Sequence, residues 1–264
     1  PDWLPSEPYL SLPALTSVLR PAGHEVLQKD INVEMYDMFF SRPFLEQVSS
    51  RITLELNHLL HVEKKRALDE EESTLKEQLV QSTPDKFDQL ACDAEKAKNI
   101  LRGDSFYDID QLEWATNTLH ETMALISLGY YPAQICFPPI ETDLVYKPFM
   151  SSEILEALDD DQINVYRDVY RQLISPIMKK GKPGMVGISI VQQKQIIPTF
   201  TFSKMIKEEF PNVHITIGGN IVTRIREELK TQDKLFGHID SAILYEGESA
   251  YLQLVDAVEN AKPL

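Results

Sequence analysis

Cysteine is nearly missing from this chain: its 264 residues include two, Cys92 and Cys136. They stand far apart and outside any CxxC spacing, which excludes a disulfide framework or a cysteine-rich zinc site and fits a reducing compartment such as the cytoplasm. Positive charge is scarce too, 26 Lys and Arg against 41 Asp and Glu, for a net charge of −15. Such a chain lacks the electrostatic footprint of a nucleic-acid binder and is repelled by anionic membrane surfaces. No apolar run reaches the roughly 18 residues of a membrane span. The start, Pro1-Asp2-Trp3-Leu4-Pro5, has neither the methionine of an intact N-terminus nor the basic and apolar regions of a signal peptide. Internal repeats and low-complexity tracts are also missing.

What is present is a composition able to bury a full core, 43% hydrophobic and 25% charged. Apolar residues at helical spacing from Pro8 to Arg20 predict a helix stopped by Pro21-Ala22-Gly23, and Glu25–Ile31 is expected to follow as a short strand. Near the other end, Met185–Val191, Val213–Gly219 and Ser241–Tyr245 read as strands. Helices at about 197–210 and 221–231 separate them, and one from Glu248 to about Ala261 closes the pattern. Strands alternating with helices of this length form parallel βαβ units, and strands apolar along their whole length are those covered on both faces. The expected fold is α/β, a doubly wound (Rossmann-like) parallel sheet of four or five strands built from residues 1–41 and 181–264.

Residues 42–180 show little strand character and are expected to form an all-helical insertion. Its helices are predicted over Phe44–Leu60, Glu70–Gln81, Pro84–Leu101, Ile109–Leu128 and Gln162–Lys179. Ser82-Thr83-Pro84-Asp85 and Asp108-Ile109-Asp110 carry the chemistry of helix starts. The acidic run Asp69-Glu70-Glu71-Glu72 reads as a solvated helix face.

In an open α/β sheet ligands lie outside the carboxyl ends of the strands. Those ends carry Ser189, Val191 and Gln192; Gly218, Gly219 and Asn220; and Glu246, Gly247 and Glu248, with Asp30 and Asn32 closing the earlier strand. Paired glycines admit close backbone approach or positive φ, and a carboxylate suits a helix start. Each feature alone is equally a tight turn or a cap; their occurrence at successive strand ends favours a site.

Taken in order, Pro8-Tyr9-Leu10, Ala22-Gly23-His24-Glu25-Val26, Asp30-Ile31-Asn32, Val186-Gly187-Ile188-Ser189, Pro211–Gly219 and Glu246-Gly247-Glu248 resemble the cobalamin-binding domain that precedes the catalytic core of B12-dependent radical S-adenosylmethionine enzymes. The likeness covers about 1–35 and 184–262. It implies a first strand before Pro1, and a corrin and nucleotide tail received by Ser189 and its loop, Gly218-Gly219-Asn220 and Glu246-Gly247. Pro5–Tyr9 would face the corrin's lower side. It also implies a methyltransferase or related iron–sulfur oxidoreductase acting on an unidentified substrate. No Asp-x-His-x-x-Gly occurs, and none of His24, His58, His61, His120, His214 and His238 falls at a predicted strand carboxyl end, so the cobalamin would be His-off. The [4Fe-4S] cluster and S-adenosylmethionine would belong to a C-terminal radical barrel of the same polypeptide, because two distant cysteines cannot make a C-x3-C-x2-C run.

A different class, a non-catalytic interaction module on a degenerate cobalamin fold, would show bulky groups filling the strand ends. A nucleotide-cofactor enzyme has no GxGxxG or GxxxxGK[ST] loop here. The remaining candidates read as ordinary structure: His58 and His61 as a helix edge without a third metal ligand, Cys92 and Cys136 as buried thiols, and Tyr166 and Tyr170 as a packed stripe.

Overall fold

A computed structural model describes residues 9–82, 84–136 and 142–260, without the side chains of Pro84 and Asp85. The cap expected around Thr83-Pro84-Asp85 and the loop from Pro5 to Pro8 therefore lie outside the described residues. The first described helix is α1 (Ser11–Leu19), followed by residues 24–30 in neither helix nor strand and then α2 (Ile31–Phe39). Next come α3 (Arg42–Glu63), α4 (Glu70–Gln81), α5 (Pro84–Arg102), a 3-10 turn over Asp104–Tyr107, and α6 (Ile109–Gly129). Beyond a single antiparallel bridge between Gln134 and Asp143 lies α7 (Ser151–Asp159). The next rod joins α8 (Tyr166–Val169), a π turn (Tyr170–Ile174) and α9 (Ser175–Gly181). The last part runs β1 (Met185–Ser189), α10 (Ile196–Glu209), β2 (His214–Gly218), α11 (Asn220–Arg224), α12 (Arg226–Leu229), α13 (Asp233–Phe236), β3 (Ser241–Ala242) and α14 (Glu248–Glu259).

The chain is thus mixed α/β and mostly helical. Its sheet is parallel in the order β1-β2-β3, with Met185 opposite His214, Ser189 opposite Gly218 and Thr216 opposite Ser241. Three strands, and not the four or five expected, occur among the described residues. The segment expected as an early strand fails for a local reason. The Asp30 carboxylate accepts the N–H groups of Asn32 at 3.1 Å and Val33 at 3.4 Å, capping α2 and drawing Ile31 into a helix.

Two compact units divide the chain: a helical one, Glu34–Val145, and an α/β one built from the described residues before and after it. The expected insertion, 42–180, is displaced at both ends, because α2 contributes to the helical unit and α7 to α9 pack as a layer on α10. Ile154, Ala157 and Leu158 of α7 are buried, and the Tyr166 ring meets Phe202 edge-on at 6.4 Å. Asn164, wholly buried, donates to the Ala157 carbonyl at 2.7 Å and the Thr201 hydroxyl at 2.9 Å, and accepts the Tyr166 N–H at 3.1 Å. A buried amide satisfied this way fixes the layer's register. Residues Ile196–Ser203 of α10 are all buried, as a helix enclosed between other elements must be.

Within the helical unit, Phe39 stacks on Phe44 at 4.9 Å and Phe44 on Tyr130 at 6.4 Å, with the Arg51 guanidinium over the Tyr130 ring at 4.1 Å. Asp108 caps α6 through the N–H groups of Asp110 and Gln111. The run Asp69–Glu72 is more than a solvated face: Asp69 accepts the Glu72 N–H at 2.9 Å and Glu72 the Asp69 N–H at 3.0 Å, a capping box. Arg66 grips the same Glu72 and, with that backbone bond, holds its carboxyl down at about 2.

Tyr251 of α14 lies against β1, its hydroxyl where a Cβ on Gly187 would stand. Gly187→Ala is expected to destabilise the protein by about 1–3 kcal/mol through overpacking, and to cost much less in a Tyr251→Leu background, as read by urea unfolding of the double-mutant cycle.

Two histidines face the amino ends of the strands. Burial holds both imidazoles below the usual histidine range, at His214 despite nearby Asp240, and at His238 with Lys204 acting in the same direction. With the folded pKa lowered, the unfolded chain takes up protons first as pH falls through about 6.5, so stability is lost on acidification. The urea midpoint should be lower at pH 5.5 than at pH 7.5, and His238→Gln should flatten that slope.

Candidate functional site

The carboxyl end of β1 continues into Ile190, which is buried and makes two backbone bonds: its N–H donates to the Gly218 carbonyl at 2.7 Å and its carbonyl accepts the Ile221 N–H at 3.3 Å. The turn beyond it satisfies itself. The Gln195 side chain accepts the N–H groups of Val191 at 2.8 Å and Gln192 at 3.2 Å, and the Gln192 side chain accepts the Gln195 N–H. The backbone donors of Val191 and Gln192 are therefore held by this chain, and the polar side chains around the turn are half-buried Ser189, exposed Gln193 and half-buried Lys194.

At the end of β2, Gly219 has φ +104, a conformation that only glycine adopts readily, and its missing Cβ would collide with the Ile190 carbonyl. That glycine makes room for the protein's own backbone. Gly218 differs: a Cβ there would meet the Ile243 carbonyl at 3.5 Å, an ordinary contact. Asn220 follows, exposed at the start of α11. One turn on, the Thr223 hydroxyl donates to the Gly219 carbonyl at 3.3 Å and accepts the Tyr245 N–H at 2.8 Å, joining the second loop to the third.

The third loop leaves the ladder after the Ile243 N–H donates to the Ile217 carbonyl at 2.8 Å. Tyr245 and Glu246 are exposed, Gly247 packs near Leu15 of α1, and Glu248 opens α14. Ser189, Gly218-Gly219-Asn220 and Glu246-Gly247-Glu248 thus share the carboxyl edge of three neighbouring strands. Asp30 and Asn32 do not close a strand, since among the described residues no strand precedes them; one caps α2 and the other is buried in its first turn. Ile190, Thr223 and Tyr245 escape sequence reasoning. The spacing of Gly219 and Thr223, four residues along a helix start, carries the only local signal for any of them.

Across positions 189–195, 218–223 and 244–248 stand two carboxylates, Glu246 and Glu248, and one cation, Lys194. Such an edge suits a ligand met through amides and flat apolar surface better than a polyanion. The histidines lie elsewhere. His24 sits against Asp256 at 3.3 Å and Glu259 at 3.2 Å near the far end of α14, His214 and His238 are at the strands' amino ends, and the other three are in the helical unit. Among the described residues no group of three or more His, Cys, Asp or Glu side chains could hold a metal ion, and no helix is long and apolar enough to cross a membrane. Cys92, expected to be buried, is exposed, with its sulfur 3.2 Å from Arg42. Tyr166 and Tyr170 are both buried.

A cobalamin can be tested against these residues directly. Exposed Asn220 and Glu246 and half-buried Ser189 form a rim able to hydrogen-bond a corrin's amide side chains, and Gly218 leaves a low surface between them. The Gly219 side of the cradle is closed by Ile190. No family model, curated protein or solved structure matches the chain.

The two glycines should respond unequally. Gly219→Ala meets immovable backbone at positive φ and is expected to cost about 2 kcal/mol or more, whereas Gly218→Ala should cost under about 1 kcal/mol. Urea unfolding of the two variants measures the difference.

Proposed function

We propose that the α/β unit is a cobalamin-binding domain of the kind that precedes the barrel of B12-dependent radical S-adenosylmethionine enzymes. The observation that carries this reading is the shared carboxyl edge of three adjacent parallel strands, with Ser189, Asn220 and Glu246 at that edge. The doubly wound form of the fold belongs to the same proposal. In a parallel strand alternate residues direct their polar groups to each side, so Met185, Gly187 and Ser189 turn theirs away from β2. Among the described residues nothing pairs with them, as suits a sheet with a further strand against β1.

The chemistry such a group supplies is carriage of a methyl from S-adenosylmethionine to a substrate carbon. This chain's residues would bind and orient it: Asn220, Glu246 and Ser189 through its peripheral amides, and Gly218 by close backbone approach. No imidazole stands on the rim, so the form bound would be His-off. The iron–sulfur cluster and S-adenosylmethionine would be held by a barrel outside these residues, in the same polypeptide and in the cytoplasm.

A second reading, a non-catalytic interaction module, is favoured by the turn between α5 and α6. There Phe106, Tyr107 and Ile109 are 42%, 86% and 79% exposed on a well-capped helical hairpin.

Titration with hydroxocobalamin separates the two. Saturable binding with a base-off visible spectrum is expected, and, after one-electron reduction of the bound cobalamin by added titanium(III) citrate, a cob(II)alamin electron paramagnetic resonance signal lacking imidazole nitrogen splitting. Asn220→Trp, at an exposed position, should weaken binding at least about tenfold. Absence of binding both by this chain and by a longer protein containing it would exclude the cobalamin reading and leave the interaction module.

A further inference from the structure

The end of β3 holds a residue in a conformation that its side chain disfavours. Tyr245 has φ +61, the left-handed region that a bulky L-residue seldom occupies. Only its backbone is used by the fold: the N–H donates to Thr223 at 2.8 Å, a bond that glycine would keep. The ring is 69% exposed, and among the described residues the hydroxyl has no hydrogen-bond partner. Of the other non-glycine residues at positive φ among the described residues, Val145 belongs to the helical unit and Lys182 is an ordinary left-handed helix cap before β1. A strained backbone that presents a large aromatic ring to solvent at the carboxyl end of the strands, next in sequence to Glu246, is unfavourable for folding alone, and such outliers concentrate where a ligand is held.

We infer that Tyr245 is a ligand-stacking residue, its ring forming one flat wall of the strand-end site for a planar conjugated ligand. This rests on the reading of that edge as a binding site and deepens it by naming the residue that would select flat ligands. The corrin ring is the occupant the proposed function supplies; an isoalloxazine or adenine ring has the same stacking chemistry. A tyrosine presents a rigid face with few rotatable bonds, so little freedom is lost on stacking.

The test uses the 264-residue protein labelled with 3-fluorotyrosine, the Tyr245 resonance being assigned by its loss in Tyr245→Phe. Hydroxocobalamin, flavin mononucleotide and adenosine are titrated separately. Expected are a shift of that resonance with hydroxocobalamin, an affinity reduced about 5- to 10-fold in Tyr245→Gly and kept in Tyr245→Phe, and an unbound Tm that is unchanged or raised in Tyr245→Gly. Binding of hydroxocobalamin with a silent Tyr245 resonance and unaltered affinity in Tyr245→Gly would leave the cobalamin reading standing and overturn the stacking role. A shift with flavin mononucleotide or adenosine but no hydroxocobalamin binding would do the reverse. A resonance unmoved by all three, or a lowered Tm in Tyr245→Gly, would show that the ring serves no such ligand.

Discussion

Everything at the carboxyl edge of the sheet depends on where Ile190 is held. Its N–H extends the ladder to Gly218, its carbonyl receives the Ile221 N–H, and the space for that carbonyl exists only because Gly219 has no side chain. One buried peptide unit thereby sets how far the first loop reaches over the second. The same arrangement fixes where α11 begins, and α11 carries Thr223 to the third loop. The buried backbone bonds of Ile190 tie the first loop to the second, and the Thr223 hydroxyl, between the Gly219 carbonyl and the Tyr245 N–H, links the third to them.

The two compact units draw on different physics. In the α/β unit, a helix buried on nearly all sides, α10, is matched by a buried amide, Asn164, whose bonds to α10 and to the segments flanking it allow little sliding. In the helical unit the core includes a column of rings, Phe39, Phe44 and Tyr130, covered by one guanidinium, among aliphatic side chains such as Leu45, Val48 and Ile126. Ring stacks tolerate small shifts that a satisfied amide does not. The first unit is therefore the better platform for a site needing fixed geometry.

Much of this was readable in the residues, and the exceptions have physical causes. α4 to α6, α10 and the strands β1 and β2 follow their apolar periods closely, since caps such as Asp108 act locally. α2 was hidden because Glu25–Ile31 reads as a short strand ending in polar residues, and the Asp30 carboxylate reaching forward to two N–H groups starts a helix there instead. The strand expected over Ser241–Tyr245 shortens to Ser241–Ala242 because Thr223, distant in sequence, takes the Tyr245 N–H and bends the chain. The site was legible as a set of strand ends. It was not legible as a division of labour, in which Val191 and Gln192 are spent on a turn, Gly219 on Ile190, and Asn220 and Glu246 are left to face outward.

The open side of β1 has a colloidal consequence. Met185-Val186-Gly187-Ile188-Ser189 is an uncharged strand without proline, and its outward polar groups form a template for another backbone. Among the described residues no local guard covers that strand, and a net charge of −15 gives two molecules of this chain a long-range repulsion that opposes zipping there. That repulsion fades within about a Debye length as salt is added, so dispersal of the isolated chain is a property of its ionic surroundings as much as of its fold.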